Sequence, residues 1–407
     1  MQQIRVIGAS KVFLCNETFD ILDNGAIAFG NEILEVGNFS DLSKKYQDAI
    51  FYEDCVLLPS FINPHIHFEF SKNTTSFTYG GFDKWLDSVI KNRDEVLQDD
   101  DTILQNAIKE QLQSGVGSVG AISSYGQDML ALSQSPLKVL FFNEIIGSNP
   151  SAVDFLYSNF LQRLEASKQL ASKKFIPSIA IHSPYSVHFI LAKKVLDLAK
   201  KQDLKTSVHF LESLQEREWL ENSSGWFKDF YIKTLGIKEP KSLYEIEEFL
   251  NLFEGLDTLF VHCLFANQNE LERICSTGSI VTCPRSNRLL NNKLLNLNSI
   301  AWNKISIATD GKSSNNNLNF IDELRYALFS YYDYEPSKLS QNLILCATHY
   351  SAKNLGLNNG ILSPQKDADF SIFEIPNIAS STQEALHFLL HAKCVKKLLV
   401  DGVEIKI

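Results

Sequence analysis

No Cys-x-x-Cys pair occurs in this 407-residue chain, whose seven cysteines (Cys15, Cys55, Cys263, Cys275, Cys283, Cys346 and Cys394) are scattered and odd in number. That argues against both a disulfide framework and a structural zinc site, and leaves the thiols as small apolar groups expected in cores. No window approaches the ~18 to 20 continuous apolar residues that span a bilayer. The opening MQQIRVIGASKVFLCNETFD lacks the basic start and long apolar stretch of a secretory signal, so a cytoplasmic location is expected. Basic charge is also short: 38 Lys and Arg against 48 Asp and Glu give a net charge of −10. Nucleic acid and anionic membranes select basic surfaces, so neither is expected as a partner and a small molecule is. Internal repeats, low-complexity segments and disordered linkers are absent as well.

What is present is an ordinary globular composition, 44% hydrophobic and 21% charged. The chain is longer than a single core supports, which implies one large domain with an accessory one. Short apolar runs read as strands at 61–66, 118–122, 137–143, 176–181, 206–211, 258–263, 279–283 and 305–309. Between them, segments such as 101–115, 151–171, 190–201 and 267–278 carry helical apolar spacing. Eight such alternations indicate an α/β (β/α)8 barrel, here over 58–359. The flanks, 1–57 and 360–407, hold β-type runs separated by turn residues, with FSDLSKKYQ as the one helical stretch in the first of them. They are expected to meet in a small composite β-sandwich.

Histidine is scarce, nine in all, yet two stand two residues apart in LPSFINPHIHFEF. Two residues is the period of a strand, so His65 and His67 point to one face. His182 follows strand four, His209 and His262 end strands five and six, and Asp310 closes strand eight. All six groups fall at C-terminal strand ends, the rim where a (β/α)8 barrel carries its active site. His188, His349, His387 and His391 lie within or beside helical or apolar segments and are read as structural or surface residues.

The three imidazoles and the carboxylate of His65, His67, His209 and Asp310 can hold a divalent ion with a position left for water. A cation so placed lowers the pKa of a water toward ~7, which suits hydrolysis. Glu212, three residues after His209, can bend back over the site and shuttle protons.

At these residues the chain resembles the amidohydrolase superfamily, in the branch that includes adenosine-type and triazine deaminases. LPSFINPHIH resembles the opening metal motif, IHSPYSV the substrate-side histidine motif, and VHFLES the H-x-x-E motif. ATDGKSSNNNLNFIDEL is similar to the strand-eight segment, with Asp310, Ser314, Asn315 and Leu318 in register. CPRSNRLL and ATHYSAKNLGL…GILSPQKDADFSIF extend the resemblance over nearly the whole chain.

The resemblance implies one divalent ion per chain, Zn²⁺ or Fe²⁺, on His65, His67, His209 and Asp310. Glu212 would relay a proton from water to a ring nitrogen, His262 would orient or polarise the attacking oxygen, Asp310 would assist proton transfer and His182 would contact substrate. The related two-metal branches use a carbamylated lysine at the end of strand four. IPSIAIHSPY offers none, which favours the single-metal deaminase form. The implied substrate is a 6-aminopurine nucleoside: aminodeoxyfutalosine of the futalosine route to menaquinone first, then adenosine, methylthioadenosine or S-adenosylhomocysteine. Guanine, cytosine and triazine aminohydrolases or chlorohydrolases are the alternative, and a non-catalytic binding protein on the same fold is a remote one, since no ligand is missing. Arg285, Arg288 and Arg93 are candidates for a substrate carboxylate, because guanidinium pairs with carboxylate in bidentate fashion. A homodimer is allowed for.

Overall fold

The structure, a computed structural model, describes residues 4–72, 75–97 and 101–407. The N-terminal segment supplies strands β1 (Arg5–Phe13), β2 (Ile21–Phe29), β3 (Ile33–Asn38) and β4 (Asp48–Pro59), with a short helix, Phe39–Lys45, where FSDLSKKYQ suggested one. Eight strands follow: β5 (Phe61–Ile66), β6 (Val116–Ser123), β7 (Lys138–Ile145), β8 (Phe175–Ile181), β9 (Thr206–Phe210), β10 (Thr258–His262), β11 (Gly278–Thr282) and β12 (Ile305–Ile307). The C-terminal segment adds β13 (Phe370–Glu374), β14 (Lys397–Val400) and β15 (Val403–Glu404).

Strands β5 to β12 form one sheet in chain order, with every pairing parallel and helices between the strands. This is the nearly closed eight-stranded barrel that the alternating pattern predicts. β6 and β7 are buried along their whole length, as strands must be when helices cover one face and barrel-filling side chains the other. Ile62, Leu140, Phe142, Val261 and Val281 contribute to that interior.

Closure between β12 and β5 is made by side chains as much as by backbone. Asp310 N–H donates to the His65 carbonyl at 3.2 Å, and Thr309 N–H to Asn63 Oδ1 at 3.1 Å. Asn63 Nδ2 donates in turn to Thr309 Oγ1 at 2.8 Å. The seam therefore lays the strand-eight acid beside the strand-one histidines. The β5–β6 register also shifts between Asn63 and Ile66, an irregularity of the kind that re-aims side chains at barrel rims.

The other sheet is mixed and seven-stranded, ordered β15-β14-β13-β4-β1-β2-β3, so both ends of the chain pair through β13 against β4. Its strand β4 runs to Pro59, slightly past the boundary at 57 expected from the pattern, and only Ser60 separates it from barrel strand β5. The expected helices appear as Asp101–Gln113, Val153–Gln169, Phe189–Gln202 and Gln268–Thr277. A helix at Glu384–His391, between β13 and β14, was not anticipated in the β-rich tail. No helix among the described residues is long and apolar enough to cross a membrane.

Candidate active site

The C-terminal rim of the barrel opens into a cavity of about 400 Å³ whose lining includes His67, His182, His209, Glu212, His262 and Asp310. At its floor the Nε2 atoms of His65 and His67 lie 3.2 Å apart, and those of His67 and His209 3.3 Å apart. Asp310 Oδ1 stands 3.7 Å from His65 Nε2 and 3.6 Å from His67 Nε2. Burial lowers the basicity of every one of these imidazoles. His67, further disfavoured by neighbouring His65, falls to about 3, and His65 and His209 are also lowered.

Three neutral imidazole nitrogens converging at such distances cannot all donate to one another. Their separation is about the edge of a tetrahedron with ligands at ~2.0 to 2.1 Å from its centre, the range of Zn–N bonds. The donor set thus fits a divalent cation, and the buried cluster has the makings of a metal site.

Surrounding groups fix two of these residues, His209 and Asp310. His209 Nδ1–H donates to the His182 carbonyl at 2.8 Å, which leaves Nε2 as the lone-pair nitrogen facing the cluster. Asp310 Oδ2 accepts from the hydroxyls of Ser286 and Ser314, each at 2.9 Å, and Oδ1 accepts from Gly311 N–H at 2.7 Å. Although burial pulls the other way, His65 and its fellow histidines hold the Asp310 carboxyl well below the usual range. Gly311 is required for space: a Cβ there would lie 2.9 Å from the Cβ of His67.

His262 Nδ1–H donates to Asn287 Oδ1 at 2.8 Å, so its Nε2 faces Asp310 Oδ2 at 3.9 Å and Glu212 Oε1 at 3.7 Å. Burial, reinforced by the Asp310 charge, pushes Glu212 well above the usual carboxylate range. Its backbone is set by the helix Leu214–Asn222, which Ser213 caps by accepting from Glu216 N–H at 3.1 Å. The Glu216 carboxylate then accepts from Leu211 and Glu212 N–H at 2.8 and 2.9 Å. Leu211, His262, Cys263 and Asp310 all take positive φ, between 45° and 70°. Such backbone is uncommon for residues other than glycine and costs of order 1 kcal/mol or more each, here at the ends of three site-bearing strands.

His182 sits beside the cluster with Nδ1 held by Ser186 Oγ at 2.7 Å, and burial lowers it to about 4. The cavity walls are aromatic and apolar, with Trp85 and Leu86 from the helix Phe82–Val96 and Phe227 and Phe230 from the helix Trp226–Leu235.

The seven residues His65, His67, His182, His209, Glu212, His262 and Asp310 therefore come together as expected. Arg285 does not join them. It is buried against Glu323, with Nε 2.6 Å from Glu323 Oε2, and Nη1 is spent on the side-chain oxygens of Asn316 and Asn317. Nη2 donates to the backbone of Asn317 and Asn319. Its expected role in binding substrate is corrected to bracing the strand-eight loop. Arg288 is exposed on its helix and absent from the lining, whereas Arg93 does line the cavity. The four histidines set aside stay outside it: His188 caps the helix Phe189–Gln202 and His387 pairs with Ser381 Oγ.

Glu144 was missed. It ends the third barrel strand in the stretch FNEI, is 1% exposed and lines the cavity. Burial raises its carboxyl to about 8, with the Ser124 hydroxyl pulling the other way. The stretch FNEIIGS after strand three is part of the resemblance to adenosine-type deaminases, but the resemblance gave this glutamate no role of its own.

The sequence model of the amidohydrolase family matches residues 56–405. The aminodeoxyfutalosine deaminase of a Nitratiruptor species is 42% identical over 389 residues, covering 94% of this chain and 96% of that protein. The adenosine deaminase of Helicobacter pylori is 43% identical over 410 residues, 99% of each chain. Among solved structures, Helicobacter pylori aminofutalosine deaminase in complex with methylthio-coformycin superposes with a TM-score of 0.94 at 42% identity, covering 99% of this chain and 100% of that one.

Proposed function

The chain belongs to the amidohydrolase family and is a deaminase, a hydrolase of C–N bonds, and on that premise we propose that it deaminates 6-aminopurine nucleosides in the cytoplasm, with aminodeoxyfutalosine as its foremost substrate. Adenosine, methylthioadenosine and S-adenosylhomocysteine are the further candidates. The observation that carries this reading is the convergence of three imidazole nitrogens and one carboxylate on the floor of an aromatic-walled cavity, with a protonatable Glu212 at 3.7 Å from His262.

His65, His67, His209 and Asp310 would hold one divalent ion, Zn²⁺ or Fe²⁺. That ion supplies Lewis acidity and a nucleophilic water at neutral pH. The remaining work falls to side chains. Water oxygen adds to the ring carbon that bears the exocyclic amine, and Glu212 passes a water proton to the adjacent ring nitrogen. The second proton goes to the amine through Asp310, the C–N bond breaks, and ammonia leaves a 6-oxo product. Asn287 holds His262 in the tautomer whose unprotonated Nε2 can accept a hydrogen bond from the attacking water and so orient it. His182 is suited to the ring edge, since its Nδ1 is already committed to Ser186.

The test is a panel of aminodeoxyfutalosine, adenosine, methylthioadenosine, guanine, cytosine and a triazine with the metal-loaded protein, read by ammonia release. The adenine nucleosides should be turned over and the others poorly, because a buried polar site loses several powers of ten when a ring leaves its groups unpaired. Faster turnover of guanine, cytosine or the triazine would replace this reading with the corresponding aminohydrolase.

A further inference from the structure

Glu144 holds a buried acceptor that nothing in the described part of the protein satisfies. Its Oε2 takes the Ser124 hydroxyl, while Oε1 has no hydrogen-bond partner among the described residues. His209 Nδ1 is 3.9 Å away and its single proton already goes to the His182 carbonyl at 2.8 Å. Arg163 holds the backbone here by donating to the Glu144 carbonyl at 2.6 Å, and the Ser124 hydroxyl holds the side chain, which is buried. A buried acceptor left unmade costs ~1 to 3 kcal/mol, more if charged, and such a group lining a ligand cavity is a group awaiting a donor.

The position of Glu144 says which part of a ligand could supply that donor. Oε1 lies on the Nδ1 side of the His209 ring, one imidazole removed from the converging Nε2 atoms. Ser124, its other partner, lies together with Tyr125 and Arg93 where the cavity continues into a second space of about 680 Å³. Glu144 thus stands between the reaction floor and that outer space. A neutral 6-aminopurine presents only acceptors along its ring apart from the exocyclic amine, and the amine must sit at the floor. The other donors of a nucleoside are the ribose hydroxyls.

We propose that Glu144 binds the ribose of the nucleoside, its Oε1 accepting a hydrogen bond from the 2′- or 3′-hydroxyl, and so sets the preference for ribonucleosides. This rests on the nucleoside reading of the site. The second space would then receive whatever the 5′ position carries.

The experiment measures inhibition constants of adenosine, 2′-deoxyadenosine, 3′-deoxyadenosine and 3-deazaadenosine against aminodeoxyfutalosine turnover, for the wild type, Glu144→Leu and Glu144→Gln, with metal content determined for each. In the wild type, assayed at pH 9 so that the Glu144 carboxyl, raised by burial to about 8, is ionised, loss of one hydroxyl should weaken binding ~10- to 100-fold, the span expected for a hydrogen bond to a charged group. In Glu144→Leu that gap should shrink to within about threefold with metal content unchanged, and Glu144→Gln, which keeps an acceptor oxygen, should restore part of it. An undiminished gap in Glu144→Leu, a gap that closes only for 3-deazaadenosine, or loss of metal would overturn the assignment. A wild type that neither turns over aminodeoxyfutalosine nor binds adenosine would instead overturn the functional reading, and this inference with it.

Discussion

His65 and His67 show what single residues could reveal before any fold was known. Their two-residue spacing fixes a common face, and the structure places their Nε2 atoms 3.2 Å apart. His65→Ala or His209→Ala should strip most of the bound divalent ion and the activity together, while His387→Ala, far from the cluster, should change neither; metal analysis beside a rate assay checks this. His182→Ala should lower kcat/KM for the nucleoside tenfold or more with metal retained, because its imidazole faces the cavity and only its backbone carbonyl supports His209. Unchanged kcat/KM would remove it from the substrate side. Arg285 and Glu144 mark the limit of residue-level reading. Whether a guanidinium is spent on Glu323 or free for a ligand depends on contacts between distant segments, and the resemblance around FNEIIGS gave Glu144 no role of its own.

Elements do for these side chains what the residues cannot do alone. The Ser213–Glu216 cap at the start of the helix Leu214–Asn222 holds the backbone of Glu212, and its S-x-x-E spacing is visible in ESLQE. The helices Phe82–Val96 and Trp226–Leu235, which wall the cavity, were not legible. Trp226–Leu235 mixes aromatic and charged residues with little amphipathic order, since it packs over a ligand space as well as a core. Gly311 is an element-scale constraint: it lets the strand-eight loop pass against His67. Gly311→Ala should displace one of the two, lowering metal occupancy and activity at least tenfold and stability by ~1 to 3 kcal/mol, the usual cost of overpacking. Full occupancy with an unchanged unfolding midpoint would show that the contact gives way without consequence.

At the scale of the whole molecule, eight βα alternations and two β-rich ends were enough to foresee the barrel and the terminal sheet, because hydrophobic period and turn residues are local signals. How the two join was not, because the joint is built from residues far apart in sequence. Lys138, at the start of β7, is buried and contacts Asp367, Asp369 and Asp401 at 2.6, 2.6 and 2.8 Å, tying the barrel to the C-terminal strands. Lys138→Met would leave the buried Asp369 without its ion pair and Asp367 and Asp401 with only the exposed Lys173, and should destabilise the protein by ~3 kcal/mol in denaturant unfolding, with the metal still bound in the folded fraction. A shift under ~1 kcal/mol would show that solvent reaches the cluster. The barrel exists, in this account, to hold a proton-shuttling Glu212 above a cation without making it a ligand, and one measurement meets that claim directly. It is single-turnover deamination of aminodeoxyfutalosine by wild type and Glu212→Gln, with metal counted in the same samples. The expected result is about one divalent ion per chain in both and a rate reduced ~10²-fold or more in the variant, since glutamine keeps the shape but cannot carry the proton. Equal rates, or loss of the metal from Glu212→Gln, would contradict it.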